Sequence, residues 1–206
     1  MLATAVIAAA AVTPVLLESS DGEKPDRAAA SAAPSPSRPA APGASAPGAD
    51  ALPDGYRLVD DEEGFRTAVP KGWGRVPSEG PAKAFEVDYD APSGTRFLRV
   101  FEVSEPTPEQ SFEEARQRED FTALTAPEPF TDQHASGHSM EYRIGDAGQA
   151  PWYVADIRFK APDGNLYGVA AYGGDDDLTD ERTVAAAALR HFCPPRMTCA
   201  DPTGTP

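Results

Sequence analysis

Apolar and polar residues alternate most sharply from Gly55 onward, and the pattern predicts a series of strands. In Gly64 to Trp73 (GFRTAVPKGW), Phe65, Thr67 and Val69 alternate with Arg66 and Ala68, the period of two expected of a strand with one buried face. Pro70 has no N–H to give a ladder, Gly72 suits a tight turn, and Trp73 is placed to fold back over the sheet. Tyr56 to Val59 reads as a short edge-like strand, turned into the next by the acidic corner Asp60 to Glu63. Phe85, Val87 and Tyr89 share one face of a further strand. Pro92-Ser93-Gly94 turns that strand back into Arg96 to Val103 (RFLRVFEV), and such a hairpin implies an antiparallel sheet.

The period then changes to that of a helix. Thr107 can cap it, Pro108 suits its first position, Glu109 complements the dipole, and Phe112 and Ala115 share a face. Phe121 to Phe130 is less regular. Strands follow at Ser139 to Ile144 and Trp152 to Phe159, with Trp152, Val154, Asp156 and Arg158 on one face of the second. Asp163-Gly164 is the strongest hairpin signal and leads into Leu166 to Tyr172, where Gly168 suggests a bulge or a close backbone contact. Asp177 or Thr179 caps a closing helix over Glu181 to His191, with Val184, Ala188 and Leu189 facing inward. The expected domain, residues 55–195, is α+β, a mostly antiparallel sheet of about seven strands flanked by helices. A chain of that length buries roughly two-thirds of its unfolded surface. Residues 196–206 form a tail.

The stretch before Gly55 is of a different kind. Leu2 to Leu17 carries no charge. As a helix it would extend ~24 Å, short of the ~30 Å hydrocarbon core, and no Lys/Arg region precedes it. Residues 1–17 are therefore expected to be the outer part of a membrane span whose start lies upstream, or a short signal segment with Ala8 and Ala10 as an A-x-A cleavage site. Residues 18–54 are rich in Pro, Ala, Ser and Gly, with Leu52 their only large aliphatic residue, and read as a disordered linker. Drawn out as polyproline II it would reach ~100 Å, and as a relaxed coil nearer ~35 Å. An apolar segment and a long spacer are the layout of a domain held off a membrane, with the domain outside the cell or secreted.

Composition sharpens this. The net charge of -15 over 206 residues excludes nucleic acid as a partner and disfavours anionic membrane surfaces. It favours solubility and repulsion between copies.

The order of elements also carries a resemblance. V-P-x-G-W (Val69-Pro70-Lys71-Gly72-Trp73) is followed by an aromatic hairpin, a helix and an E-Y-R strand. A W-Y-V-A-D-I-R-F strand, a glycine turn with L-Y-G-V, and a closing helix running into Phe192 complete the series. Residues 55 to 193 resemble the PsbP-like sensor domains outside the membrane in actinobacterial receptor-type serine/threonine kinases and related cell-envelope proteins. That resemblance implies a central antiparallel sheet sandwiched by helices, and a binding or sensing role. It supplies no catalytic residues, and no H-R-D-like motif occurs in these residues.

Candidate chemistry is sparse. Cys193 and Cys199, in FCPPRMTC, are the only cysteines; their closeness and the inferred export favour a disulfide over free thiols or a redox pair. His134 and His138, with Asp132 and Glu141 nearby, are read as solvated histidines, since H-x3-H binds zinc only from one helix face. Asp175, Asp176, Asp177, Asp180 and Glu181 lack the order of a calcium loop and are read as helix-capping acids, so no metal or cofactor is expected. The serines lack a G-x-S-x-G elbow. Trp73, Trp152, Tyr153 and Tyr172 are the candidate ligand-binding residues, with core packing as the competing reading of each. The expected function is non-enzymatic binding of a small molecule, wall fragment or protein at the envelope. The alternatives are an exported hydrolase built on Asp156, Glu141 and Arg158, or a structural module.

Overall fold

Every strand of the main sheet pairs antiparallel with its neighbours, and the two faces of that sheet are filled by different chemistry. The computed structural model describes residues 51–77, 84–131, 135–145 and 150–199. The expectations for residues 1–17, most of the linker and most of the tail lie outside these. Among the described residues no helix is long and apolar enough to cross a membrane.

The elements are β1 (Tyr56–Asp60), β2 (Arg66–Pro70), β3 (Gly74–Pro77), β4 (Glu86–Asp90), β5 (Phe97–Glu102) and α1 (Pro108–Ala115), then β6 (Phe121–Ala123), β7 (Glu128–Thr131), β8 (Ser136–Ile144), β9 (Trp152–Lys160), β10 (Leu166–Gly173) and α2 (Thr179–Arg190). β1 and β2 form a separate ribbon. The main sheet runs β3-β4-β5-β10-β9-β8-β6, with β7 also on β8. The architecture is thus the expected α+β sheet with a helix on each face. Among the described residues there are ten strands where about seven were expected. The additions are short edge pieces, and β7 carries Pro129, which an edge strand tolerates.

One face is mainly apolar. Val87, Tyr89, Leu98, Val100, Ala155, Phe159, Val169 and Ala171 pack there against Phe65 and Val69 of the ribbon side and Val184, Ala185 and Ala188 of α2. Phe65, Phe85, Phe159, Tyr167 and Phe192 join rings at centroid distances of 4.9 to 6.3 Å. β2 is buried on both sides, not one. Thr67 and Ala68 are as inaccessible as Val69, because α2 lies against the ribbon and the Thr67 hydroxyl donates to the Ala188 carbonyl at 3.0 Å.

Two local expectations need correction. Gly168 makes no bulge, since β10 pairs in continuous register with both β5 and β9. It is glycine because the Phe101 ring lies over it, only 2.1 Å from where a Cβ would sit. α2 starts at Thr179 and has no side-chain cap. Its N-cap is Leu178, left-handed at φ 55°, which sends that side chain into the core. The Thr179 hydroxyl instead donates to Asp177. By contrast, the Thr107 cap and Pro108 stand as expected, with Gln110 N–H donating to Thr107 Oγ1 at 3.2 Å. The Asp163-Gly164 hairpin also forms, Gly164 taking φ 86°.

Two attachments fix the ribbon. Arg66 and Cys193 exchange backbone hydrogen bonds at 2.9 and 2.8 Å, and the Cys193–Cys199 disulfide closes the loop that follows. At the other end the acidic corner reaches the main sheet. Asp61 is gripped by Arg75 of β3 at 2.8 and 3.1 Å, and accepts from Glu63 N–H at 3.0 Å and from the Tyr89 hydroxyl. Burial pushes the Asp61 carboxyl up, but these donors outweigh it and hold its pKa below the ordinary value.

Two predictions follow from these attachments. Thiol titration of the oxidised protein finds no free thiol, and reduction lowers stability by ~2 kcal/mol because the closed loop is short; two reactive thiols before reduction would refute the bridge. A carboxyl with a depressed native pKa stabilises the fold fully above its unfolded value of ~3.9 and loses that contribution as pH falls through the native value. Urea unfolding from pH 7 to pH 2 should therefore show an acid-side loss that Asp61→Asn blunts, with the variant about 2 kcal/mol less stable at pH 7.

Candidate functional site

The second face of the sheet is polar where the first is apolar. Alternation along β9 places Trp152, Val154, Asp156 and Arg158 on this side, as the sequence pattern predicts, with Tyr142 of β8 and Tyr172 of β10 beside Val154 and Met140 and Ala170 beside Asp156. α1 covers part of it, packing on β8 and β9 through Phe112.

Asp156 and Arg158 lie under that helix as a buried ion pair, 1% and 7% exposed. Asp156 Oδ2 accepts from Arg158 Nε at 3.2 Å, from Arg158 Nη2 at 2.9 Å and from the Tyr142 hydroxyl at 3.0 Å. Arg158 Nη1 donates to Ser111 Oγ at 2.6 Å, and that hydroxyl donates to Glu105 at 2.7 Å. The guanidinium is flanked by aromatic rings, 4.3 Å from the Phe112 centroid and 5.5 Å from that of Phe101. Burial works against the charged guanidinium, yet Asp156 outweighs it and raises the Arg158 pKa. Burial, then the Asp156 charge, drives the Tyr142 phenol well above its ordinary range. Asp156 Oδ1 is buried and no group among the described residues donates to it, a condition that costs about 1–3 kcal/mol for a lone acceptor.

A cleft of about 140 Å³ opens on this face beside α1. Asp156, Arg158, Phe101, Tyr142 and Tyr172 line it from the sheet, and Ala115, Arg118 and Phe121 from the α1 side and the segment after it. Glu86 and Arg99 also line it. Arg99 is itself paired, bidentate to Asp88 at 2.8 Å and to Glu86 at 3.0 Å, with its guanidinium 5.7 Å from the rings of Phe97 and Tyr172. Arg118 is bidentate to Asp120 at 3.0 and 2.8 Å. The arrangement can hold a small polar molecule against aromatic walls.

The residues proposed from sequence divide between the faces. Tyr172 lines the cleft; Trp152 is on the same face, edge-on to Phe97, which stacks on Tyr172 at 4.1 Å. Trp73 and Tyr153 pack against the core of the opposite face. Asp156 and Arg158 meet, but Glu141 does not join them. It pairs across from Ala155, points to the α2 side and binds Arg182 at 2.9 Å. Glu141 and Asp156 do border a second cavity, of about 240 Å³ on the α2 side, but there Glu141 is tied to Arg182 and Asp156 to Arg158, so neither carboxylate of the hydrolase alternative is a free acid or base. His138 is half-buried in β8, with Nδ1 3.3 Å from Glu109, and is not the solvated residue expected; His134 and Asp132 lie outside the described residues. Asp180 and Glu181 bind Arg96, while Asp175 to Asp177 are exposed. Arg99, Phe101 and Arg118 were missed. The alternation of RFLRVFEV put Phe97, Arg99 and Phe101 on one face and could have flagged the first two.

Removing one partner of a buried pair leaves the other charge uncompensated. Arg158→Met should therefore lower stability by about 3–5 kcal/mol, and Asp156→Asn combined with it should recover part of that loss, read by denaturant unfolding of both variants. A double-variant loss equal to the sum of the Arg158→Met and Asp156→Asn single losses would show that the pair is not coupled.

Residues 57–194 match a family model described as the serine/threonine kinase C-terminal domain. No curated protein matches the sequence. Among solved structures the chain is similar to the solution structure of cyanobacterial PsbP (CyanoP) from Synechocystis sp. PCC 6803, at 17% identity and a TM-score of 0.47, over 74% of this chain and 99% of that chain. The family match begins within β1, ends after α2 and takes in the whole sheet, so this chain belongs to the serine/threonine kinase C-terminal domain family.

Proposed function

We propose that this chain is a non-enzymatic, extracytoplasmic domain that binds a ligand at the cell envelope, tethered to the membrane by its N-terminal segment or secreted. One observation carries the reading. The second face of the sheet holds a cleft in which a buried carboxylate oxygen lacks a protein donor while the surrounding charges are tied in pairs. Such a site offers recognition to an incoming molecule, and its carboxylate is occupied by Arg158 and Tyr142 instead of being poised as a base. The Cys193–Cys199 bridge supports an oxidising compartment, and the family supports association with a kinase.

The test is a thermal-shift screen of the full oxidised chain against low-molecular-weight envelope compounds: wall peptides, amino sugars and osmolytes. A ligand at ten times its Kd adds ~1.4 kcal/mol and raises Tm by several degrees, saturably. A panel in which nothing shifts Tm, or intact protein recovered from the cytosol with both thiols reduced, would overturn the proposal.

A further inference from the structure

We infer that the cleft beside α1 takes a single neutral, hydroxyl-bearing ring of about monosaccharide size, with one hydroxyl donating to Asp156 Oδ1. This rests on the reading of the chain as a ligand-binding domain and names the class of ligand. Asp156 borders this cleft and the cavity on the α2 side; it is 1% exposed, its Oδ2 accepts three hydrogen bonds, and its Oδ1 accepts none among the described residues, so an occupant that reaches it must bring an O–H or N–H donor.

Charge then narrows the class. Arg158 is matched by Asp156, Arg99 by Asp88 and Glu86, and Arg118 by Asp120. A charged ligand would shed water here without gaining a counter-ion. The guanidinium groups oppose an ammonium, and Asp156 with Glu86 opposes a carboxylate. A hydroxyl does what neither ion can, giving a proton to Oδ1 while accepting from a neighbouring guanidinium N–H.

Shape and size agree. Phe101 and Tyr172 present ring surface to the apolar face of such a ring. A volume of about 140 Å³ is several times the ~30 Å³ of a liquid water and below the ~300–1,000 Å³ of drug-sized pockets, which suits one ring and not an oligomer.

The experiment titrates the full oxidised chain with N-acetylglucosamine, glucosamine and glucuronate by calorimetry, and maps the shifted side-chain resonances by NMR. N-acetylglucosamine should bind with Kd of about a millimolar, at least tenfold tighter than either charged sugar, and shift Phe101, Tyr142 and Tyr172. Ala115→Leu, which fills the cleft from α1 without touching the ion pair, should weaken binding at least tenfold. The wild-type shift map decides the matter even where that variant folds poorly. Preference for a charged sugar, shifts confined to other residues, or unaltered binding by folded Ala115→Leu would overturn the inference. If no sugar binds but another envelope compound still raises Tm of the wild-type chain, this inference falls and the binding-domain reading stands; if nothing binds, both fall.

Discussion

The ion pair between Asp156 and Arg158 constrains the second half of this structure more than any other interaction. Two charges two residues apart on a central strand must share a face, and here that face is roofed by α1. A guanidinium taken from water has to have its donors satisfied, which accounts for Ser111 on the helix and Glu105 behind it, while Tyr142 on the next strand donates to the partner carboxylate of Asp156. It also has to be enclosed. Phe112 from the helix and Phe101 from the sheet supply the two rings, and the Phe101 ring has room only because β10 carries glycine at position 168. A change at Gly168 would thus be felt at Arg158 and, through Ser111, at the seat of α1.

The opposite face obeys a different rule. Ala155 and Phe159, interleaved along the same strand, meet α2 and the β1-β2 ribbon in an apolar core that the Arg66–Cys193 pairing and the disulfide close at one side. Asp61 ties the ribbon to β3 and β4 through Arg75 and Tyr89. One face is therefore held mainly by hydrophobic burial, with a cavity of about 240 Å³ bordered by Glu141 and Arg182 at its β8 side. The other is held by a polar network around an opening. The division follows from β9 alone, where small and aromatic residues alternate with Asp156 and Arg158.

Much of this was legible in the chain because period and turn chemistry are local. The cap at Thr107, the Asp163-Gly164 hairpin, the shared face of Asp156 and Arg158 and the cysteine pair all stand as read. What was not legible depends on register between strands. Glu141 sits one residue from Met140, the partner of Asp156, and that single step sends it to the α2 side. The same parity separates Tyr153 from Trp152, so the proposed aromatic set splits between the faces. β3, β6 and β7 were too short for alternation to show, and the left-handed Leu178 is set by burial of its side chain in the core, which no local capping rule foresees.

Stability does not explain why the second face stays polar. Buried ion pairs replaced by well-packed apolar residues often leave a fold as stable or more so. This chain packs apolar residues well where it needs to, since Ala155 and Phe159 do so on the reverse of the same strand. The ion pair also leaves one carboxylate oxygen unsatisfied, which a purely structural network would avoid. That oxygen belongs to a residue lining the cleft beside α1. On the function proposed above, the acceptor left without a donor among the described residues is met by a group from outside the fold.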